Sequence, residues 1–379
     1  MELTIENAKK IALADDISKV SMQQLFESVR SNNTISRYRP DPTCQLDPRS
    51  GEMILFNSTR SKRPAEPGTN QKTRYSDAEP ACPICAGNTT PILDVREHSQ
   101  GFSFVNFNLY PIVYPATTPP PGSLETPLYP DPEHLGRYSQ GLHLMQWTNS
   151  VHDLDWHNMP LNDLEISMRQ LADLERKLLL ESDGWMPPAE ADSDAFGYCS
   201  IIKNFGRPAG ASQSHGHMQI GFTNIMPQRF YNNWCFQQRH RKTFTQYMFE
   251  ENSVSLTIWE TQAVKLLVPY FMRRPYATIL AVKNTSKQYL HELSGDELHD
   301  LTLGLSLAIQ SLHILMAGIG MEPSFQLTVQ NGPGAGLYVE FFPQTQLCGG
   351  FEQLGLWVCQ ASTKQCAEDY REIINTLTR

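Results

Sequence analysis

Residues 204–219, NFGRPAGASQSHGHMQ, form a glycine-bearing loop that runs into an alternating segment, and the fold is read outward from them. The order His215, Gly216, His217, Met218, Gln219, Ile220 predicts a strand, and a period of two puts His215, His217 and Gln219 on one face. A neutral imidazole, with an unperturbed pKa of about 6.5, can act as a nucleophile near neutrality, and a neighbouring amide can hold a phosphoryl oxygen without adding repulsion. Gly206 and Gly210, with Ser212, allow backbone and hydroxyl donors to approach a phosphate closely. The bland alternative is a wet strand face that happens to carry two histidines.

Two further clusters bear on that choice. Cys82 and Cys85, in CPIC, have the spacing of half a tetrahedral metal site. No second cysteine pair exists, so the other half must be histidine: His215 is one candidate, and His152 or His157 the other. A metal tied to His215 would hold the strand so that His217 is aimed reproducibly; the alternative is a chance pair of structural cysteines. Arg60 to Pro64, RSKRP, follows a short apolar run at Met53 to Phe56 that predicts a strand. Guanidinium groups suit bidentate contact with phosphate, although basic loops are commonly just solvated.

Farther out, the chain is written twice in similar grammar. A helix over about Leu161–Ser182 is followed by Cys199–Lys203, an Asn-x-Gly loop and His215–Phe222. A helix capped by Ser294 and Glu297 and running to Gly318 is followed by Phe325–Val329, an Asn-Gly loop and Leu337–Phe342. Each helix also follows an extended apolar segment, so two strand–helix–strand–loop–strand units are expected, with coincidence of common α+β grammar as the alternative. The organisation predicted is a helical N-terminal extension over 1–35, a catalytic repeat with the metal site over 36–225, and a second, degenerate repeat over 226–379. The proline-dense stretch Pro115–Pro132 is expected to be a surface excursion.

Composition narrows the function classes. The 379 residues carry 31 Lys and Arg against 40 Asp and Glu, a net charge of −9, which offers no global field to nucleic acid or an anionic membrane. The opening MELTIENAKK has no apolar run behind it, and no stretch of about 20 apolar residues is evident, so a soluble, cytoplasmic protein without membrane contact is expected. The remaining six cysteines are scattered, with no disulfide framework.

RYRPDP, LDPRSGEMILFNSTRSKRP, CPICAGN, FNLYP and NFGRPAGASQSHGHMQ follow in that order, and together they resemble the galactose-1-phosphate uridylyltransferase family of the histidine-triad superfamily. The likeness covers nearly the whole chain after about residue 36. The AGASxSHxHxQ wording is nearer the ADP-glucose phosphorylase-like branch, since Gly216 stands where the uridylyltransferases tend to have proline. The resemblance implies a duplicated histidine-triad-like α+β fold, with antiparallel sheets and packed helices. It also implies a ping-pong nucleotidyltransferase. His217 would attack the α-phosphorus of a nucleoside diphosphate sugar or dinucleotide, and phosphate or a sugar 1-phosphate would accept the nucleotide.

In that frame Gln219 would hold an oxygen of the adduct, Ser212 and Asn204 the phosphates, Arg60 and Arg63 the leaving or incoming phosphate, and Asn108 the nucleotide. Cys82, Cys85 and His215 match zinc ligands, and the HDLDWHNM segment favours His152 over His157 as the fourth. The family's second metal is expected to be absent, because Ser286, Tyr338 and Glu340 occupy the matching positions. Glu352, in GGFE, matches a residue that contacts sugar hydroxyls across a homodimer; Val358 stands where that loop usually has glutamine. The rival class is a non-catalytic nucleotide-binding regulator on the same fold, which the altered second repeat makes thinkable.

Overall fold

The computed structural model describes residues 3–14, 16–41, 43–62, 82–115, 136–191 and 193–379. The expected excursion at Pro115–Pro132 therefore lies outside the described residues save for Pro115, and Arg63 lies outside them as well. In chain order the strands are β1 (Thr43–Leu46), β2 (Met53–Leu55), β3 (Ile92–Glu97), β4 (Phe102–Phe107), β5 (Gly136–Tyr138), β6 (Gly141–Trp147), β7 (Tyr198–Phe205) and β8 (His217–Thr223). They continue as β9 (Thr257–Glu260), β10 (Val264–Leu267), β11 (Thr278–Val282), β12 (Phe325–Gln330) and β13 (Tyr338–Pro343). The chain divides into two units, the first made of Met1–Asp153, Asp173–Cys199 and His215–Gln228, the second of Leu154–Ala172, Ser200–Ser214 and Arg229–Arg379.

In the first unit β3, β4, β6 and β8 pair antiparallel in that order. β6, GLHLMQW, is buried at every position and is paired along both edges, with β4 and β8. β8 begins two residues later than the alternation suggested, at His217; His215 stands just ahead of the ladder. Phe104, Trp147, Ile84 and Met145 share a core with Ala8 of the Ile5–Ile11 helix. Burying each such large side chain contributes about 1.5–3 kcal/mol. A second N-terminal helix, Met22–Arg30, starts at a Ser21–Gln24 capping box and buries Leu25, Phe26 and Val29. β1 pairs with β2 and β5 in a small separate sheet, and the expected basic loop after β2 is a 3₁₀ turn, Ser58–Lys62.

In the second unit β9, β10, β11, β13, β12 and the Ile201–Phe205 part of β7 pair antiparallel in that order. The Gly295–Gly318 helix packs on β10, β11 and the C-terminal Thr363–Leu377 helix. It is more apolar than the sequence reading allowed, with a mean hydropathy of 1.5 over 18 residues, enough in length and composition to cross a membrane. Two thirds of that window is buried in the protein, and a helix enclosed on most sides is apolar nearly all round for that reason. Its N-terminus carries the predicted reciprocal cap between Ser294 and Glu297. The other predicted helix spans Leu161–Leu180, contributing its first twelve residues to this unit and the rest to the first.

Candidate active site and metal centre

Four of the sequence-predicted residues meet in the first unit. The Nδ1 atom of His215 lies 3.6 Å from the sulfur of Cys82 and 3.7 Å from that of Cys85, and His152 Nδ1 lies 3.4 Å from Cys85. All four ligand atoms fall within 4.8 Å of one another, an arrangement that could hold a metal ion. His215 is fully buried, and its other nitrogen, Nε2, donates to the backbone carbonyl of Asn149 at 2.7 Å. That bond leaves the lone pair on Nδ1, the atom that faces the thiols. Burial and the neighbouring Cys82 thiol push the Cys85 thiol up to about 11, so Cys85 keeps its proton unless a cation displaces it. Of the two histidines left open by spacing, His152 joins the sulfurs. His157 lies in the second unit, stacked on His313 with ring centroids 4.3 Å apart.

His217 opens β8 and is nearly buried, with Trp147 of β6 as its cross-strand partner. The Trp147 ring lies 5.3 Å from the His217 ring and 5.4 Å from that of His215, so one indole braces both imidazoles. His217 Nδ1 donates to the carbonyl of His215 at 2.9 Å, which puts the lone pair of the neutral ring on Nε2. The residue that faces the thiols thus fixes its neighbour through its own backbone. Gln219 is half-buried two positions on and pairs with Met145.

Met145 leads to the nucleotide-side candidates. Asn108 Nδ2 contacts the Met145 sulfur at 3.1 Å, and Asn108 Oδ1 accepts from the Tyr110 amide at 2.8 Å. Half-buried Arg60 donates from Nη1 to the Tyr110 carbonyl at 2.7 Å, and Asn57 donates to the Pro111 carbonyl at 2.6 Å. The STR and FNLYP segments, fifty residues apart in sequence, are therefore fastened together. Sequence reasoning missed His143, a buried β6 residue whose Nδ1 accepts from the Ile112 amide and whose Nε2 lies 3.4 Å from Asn108 Nδ2. It also missed Trp147 and the carbonyl of Asn149. The first two lay in plain view in GLHLMQW, whose small glycine and alternating polar groups between apolar residues were the available signal.

Asn204, Ser212 and Glu352 fall in the second unit. Asn204, on β7, pairs with Gln326 of β12. The loop after it turns at Gly206, whose φ of 79° favours glycine and where a Cβ would come within 2.8 Å of the Pro323 carbonyl. Gln326 then donates to the Ala209 carbonyl, pinning the following 3₁₀ turn. Ser212 sits half-buried in the bend beyond it. The Glu352 carboxylate accepts from the backbone amides of Gly349 and Val358, which bends its loop back on itself and lowers its pKa.

No family model matches the chain. It is 21% identical over 351 residues to the ADP-glucose phosphorylase of Arabidopsis thaliana, covering 88% of this chain and 93% of that one. It is 24% identical over 239 residues to the galactose-1-phosphate uridylyltransferase of Thermotoga maritima, 61% of this chain and 64% of that enzyme. A solved uridylyltransferase has a TM-score of 0.67 at 18% identity, covering 89% of this chain and 100% of that one. The chain is a relative of these enzymes and has the uridylyltransferase fold. An Arabidopsis thaliana ADP-glucose phosphorylase solved with bound ADP-glucose gives 0.60 at 19% identity, covering 87% and 98%. The mixed helix and antiparallel-sheet architecture expected from the sequence is thus that of the uridylyltransferases.

Proposed function

We propose that the chain is a nucleotidyltransferase acting on nucleotide sugars through a covalent His217 nucleotide. One observation carries the reading: the bond from His217 Nδ1 to the His215 carbonyl, which keeps the Nε2 lone pair for attack. In the first half-reaction Nε2 forms a bond to the α-phosphorus of a nucleoside diphosphate sugar, and the bond to the bridging oxygen breaks, releasing the sugar phosphate. In the second, an oxygen of the acceptor takes the phosphorus and the P–N bond returns its electrons to the ring. Gln219 and Ser212 would hold the phosphoryl oxygens, Asn204 the phosphates, Arg60 and Arg63 the phosphate of the leaving or incoming group, and Asn108 the nucleotide. The relative that the chain spans over 93% of its length is a phosphorylase, which supports phosphate as the acceptor.

The ion we assign to Cys82, Cys85, His152 and His215 is zinc. Tetrahedral zinc with Zn–S of about 2.3 Å and Zn–N of about 2.0–2.1 Å requires S···N separations of about 3.5 Å. The values of 3.4–3.7 Å bracket this. Zinc would supply structural cross-linking there, holding the His215 backbone that fixes His217. The free thiols suit a reducing, cytoplasmic setting. We further propose the 1–35, 36–225 and 226–379 organisation, and a homodimer in which Glu352 serves the neighbouring copy.

Incubation of the purified zinc protein with ADP-glucose or a UDP-sugar, followed by intact-mass measurement, tests the reading. The donor should leave its monophosphate on the wild-type chain and none on His217→Asn. An unlabelled wild type with both donors, or an adduct that survives in His217→Asn, overturns it.

A further inference from the structure

A second set of polar groups lies in the second unit, and none of them has a role in the proposed nucleotidyl transfer. Glu340, mid-strand on β13 between Thr328 and Ile279, is only 9% exposed. Its Oε2 is buried without a hydrogen bond among the described residues; its ion contact is Arg229 Nε at 3.7 Å, longer than a hydrogen bond. Burial raises the pKa of the carboxyl, and the charges of Arg229 and Arg273 both act against that rise. Arg273 lies half-buried with its guanidinium 5.2 Å over the Trp357 ring, and makes no hydrogen bond among the described residues. Burial lowers its pKa, and the like charge of Arg229 adds to the effect.

Two more buried atoms are orphaned beside the same strand. Tyr338 donates to Asn233 Oδ1 at 3.2 Å, while Asn233 Nδ2 has no partner among the described residues. Gln330, the register partner of Tyr338, donates to Thr328 at 2.9 Å, while its Oε1 has no partner among the described residues. Native proteins satisfy roughly 90% or more of such groups, so three orphans around one tyrosine call for a ligand or water. The charges narrow the choice. Two guanidiniums face one carboxylate in a chain of net charge −9, a local excess of positive charge with planar forks suited to an oxyanion. The leftover acceptors, Glu340 Oε2 and Gln330 Oε1, suit hydroxyl donors.

We propose that Arg229 and Arg273, with Glu340, Gln330 and Asn233, form a second anion site that takes the phosphoryl group of a phosphorylated sugar or of free phosphate. Calorimetric titration of the full-length zinc-loaded chain with glucose 1-phosphate, inorganic phosphate and glucose tests it. Wild type should bind one more equivalent of phosphate-bearing ligand than Arg229→Met/Arg273→Met, and Arg273→Lys should weaken that extra equivalent at least fivefold. Tenfold tighter binding of the ester than of phosphate assigns the site to a sugar phosphate, and equal binding assigns it to free phosphate. Glucose alone should not bind. Glu340→Gln keeps the shape and removes the opposing charge, so it should tighten phosphate at least threefold, and this arm stands even where the arginine variants fail to fold. Equal stoichiometry in wild type and folded arginine variants, or no tightening in Glu340→Gln, overturns the assignment.

Discussion

Two stretches of the chain run through the same order of elements and put different chemistry at the same place. In the first, the β3–β4 hairpin leads to β6, then a long helix, β7 and β8, with β6 antiparallel to β8. In the second, the β9–β10 hairpin leads to β11, a long helix, β12 and β13, with β11 antiparallel to β13. The opening residue of the last strand is His217 in one and Tyr338 in the other, and two residues on stand Gln219 and Glu340. His217 has its tautomer fixed by a backbone carbonyl next to a set that could hold a metal ion. Burial raises the pKa of Tyr338 far above the ordinary phenol range, and its hydroxyl is tied to Asn233. Matching backbone does not carry the same chemistry with it: the proposed nucleophile needs the lone pair, its aim and its support together.

The largest effect should therefore come from exchanging the two strand-opening residues for neutral stand-ins. His217→Asn should lower turnover by at least about 10³-fold and abolish the adduct. Tyr338→Phe should keep turnover within about threefold while costing about 1–3 kcal/mol, because Asn233 Oδ1 is left unsatisfied. Steady-state rates with denaturant titrations separate the two, and comparable rate losses at both positions would break the contrast.

Metal removal should divide the units next most sharply. Structural zinc contributes apparent binding energies of about 10–16 kcal/mol in small domains, so losing even about 3 kcal/mol here lowers the melting temperature by roughly 6–12 °C. Cys85→Ser, or a strong chelator, should produce that drop, with proteolytic cuts confined to the first unit. Metal binding displaces thiol protons, so affinity should fall on acidification, with the raised Cys85 thiol adding to the cost. Cleavage sites spread evenly over both units after chelation would show that the metal supports more than its own unit.

What could be read from the sequence was whatever had local periodicity or ligand spacing. Ser294 with Glu297 fixed a helix start because the cap is satisfied within four residues, and CPIC pointed to a cluster that could hold a metal ion because two residues are the span of a metal knuckle. Choosing His152 over His157 was beyond spacing alone, since both precede the same helix and only tertiary placement separates them by unit. The roles of Trp147 and of the Asn149 carbonyl are cross-strand facts: an indole bracing two imidazoles and a backbone oxygen setting a tautomer leave no mark in residue order. Lys203, paired at 2.8 Å with Asp155 and fully buried, was equally invisible, because nothing local in IIKNF marks a charge as internal.

Acid should weaken the second unit through a stacked pair of half-buried histidines. His157 and His313 stack with interplanar tilt 15°, and burial lowers both pKa values, that of His313 to about 4 with the charge of His157 adding to the effect. Lys203 also disfavours charging either ring, whereas Asp155 favours it. Both folded pKa values lie below the unfolded value of 6.5, so the unfolded chain binds more protons as pH falls through that value toward about 4. The stabilisation is complete above pH 6.5 and is lost across that window. Urea midpoints at about pH 7 and about pH 5 should differ more for wild type than for His313→Phe, whose ring keeps the stack and cannot titrate. An equal shift in both proteins would remove the pair from the account.

The smallest effect tests whether the second unit owes its order to local signals as much as to packing. Ser294 Oγ accepts from the Glu297 amide at 3.2 Å, and Glu297 Oε2 accepts from the Ser294 amide at 2.8 Å, closing both ends of the cap. Ser294→Ala removes the first bond and leaves a 24-residue helix that is still held along most of its length by β10, β11 and the C-terminal helix. The loss should be about 1 kcal/mol in a urea titration, with turnover and metal content unchanged, because none of the proposed catalytic groups lies on that helix. A loss several times larger would mean that the cap governs how the helix seats on its sheet, and that the second repeat depends on its local signals more than its buried surface implies.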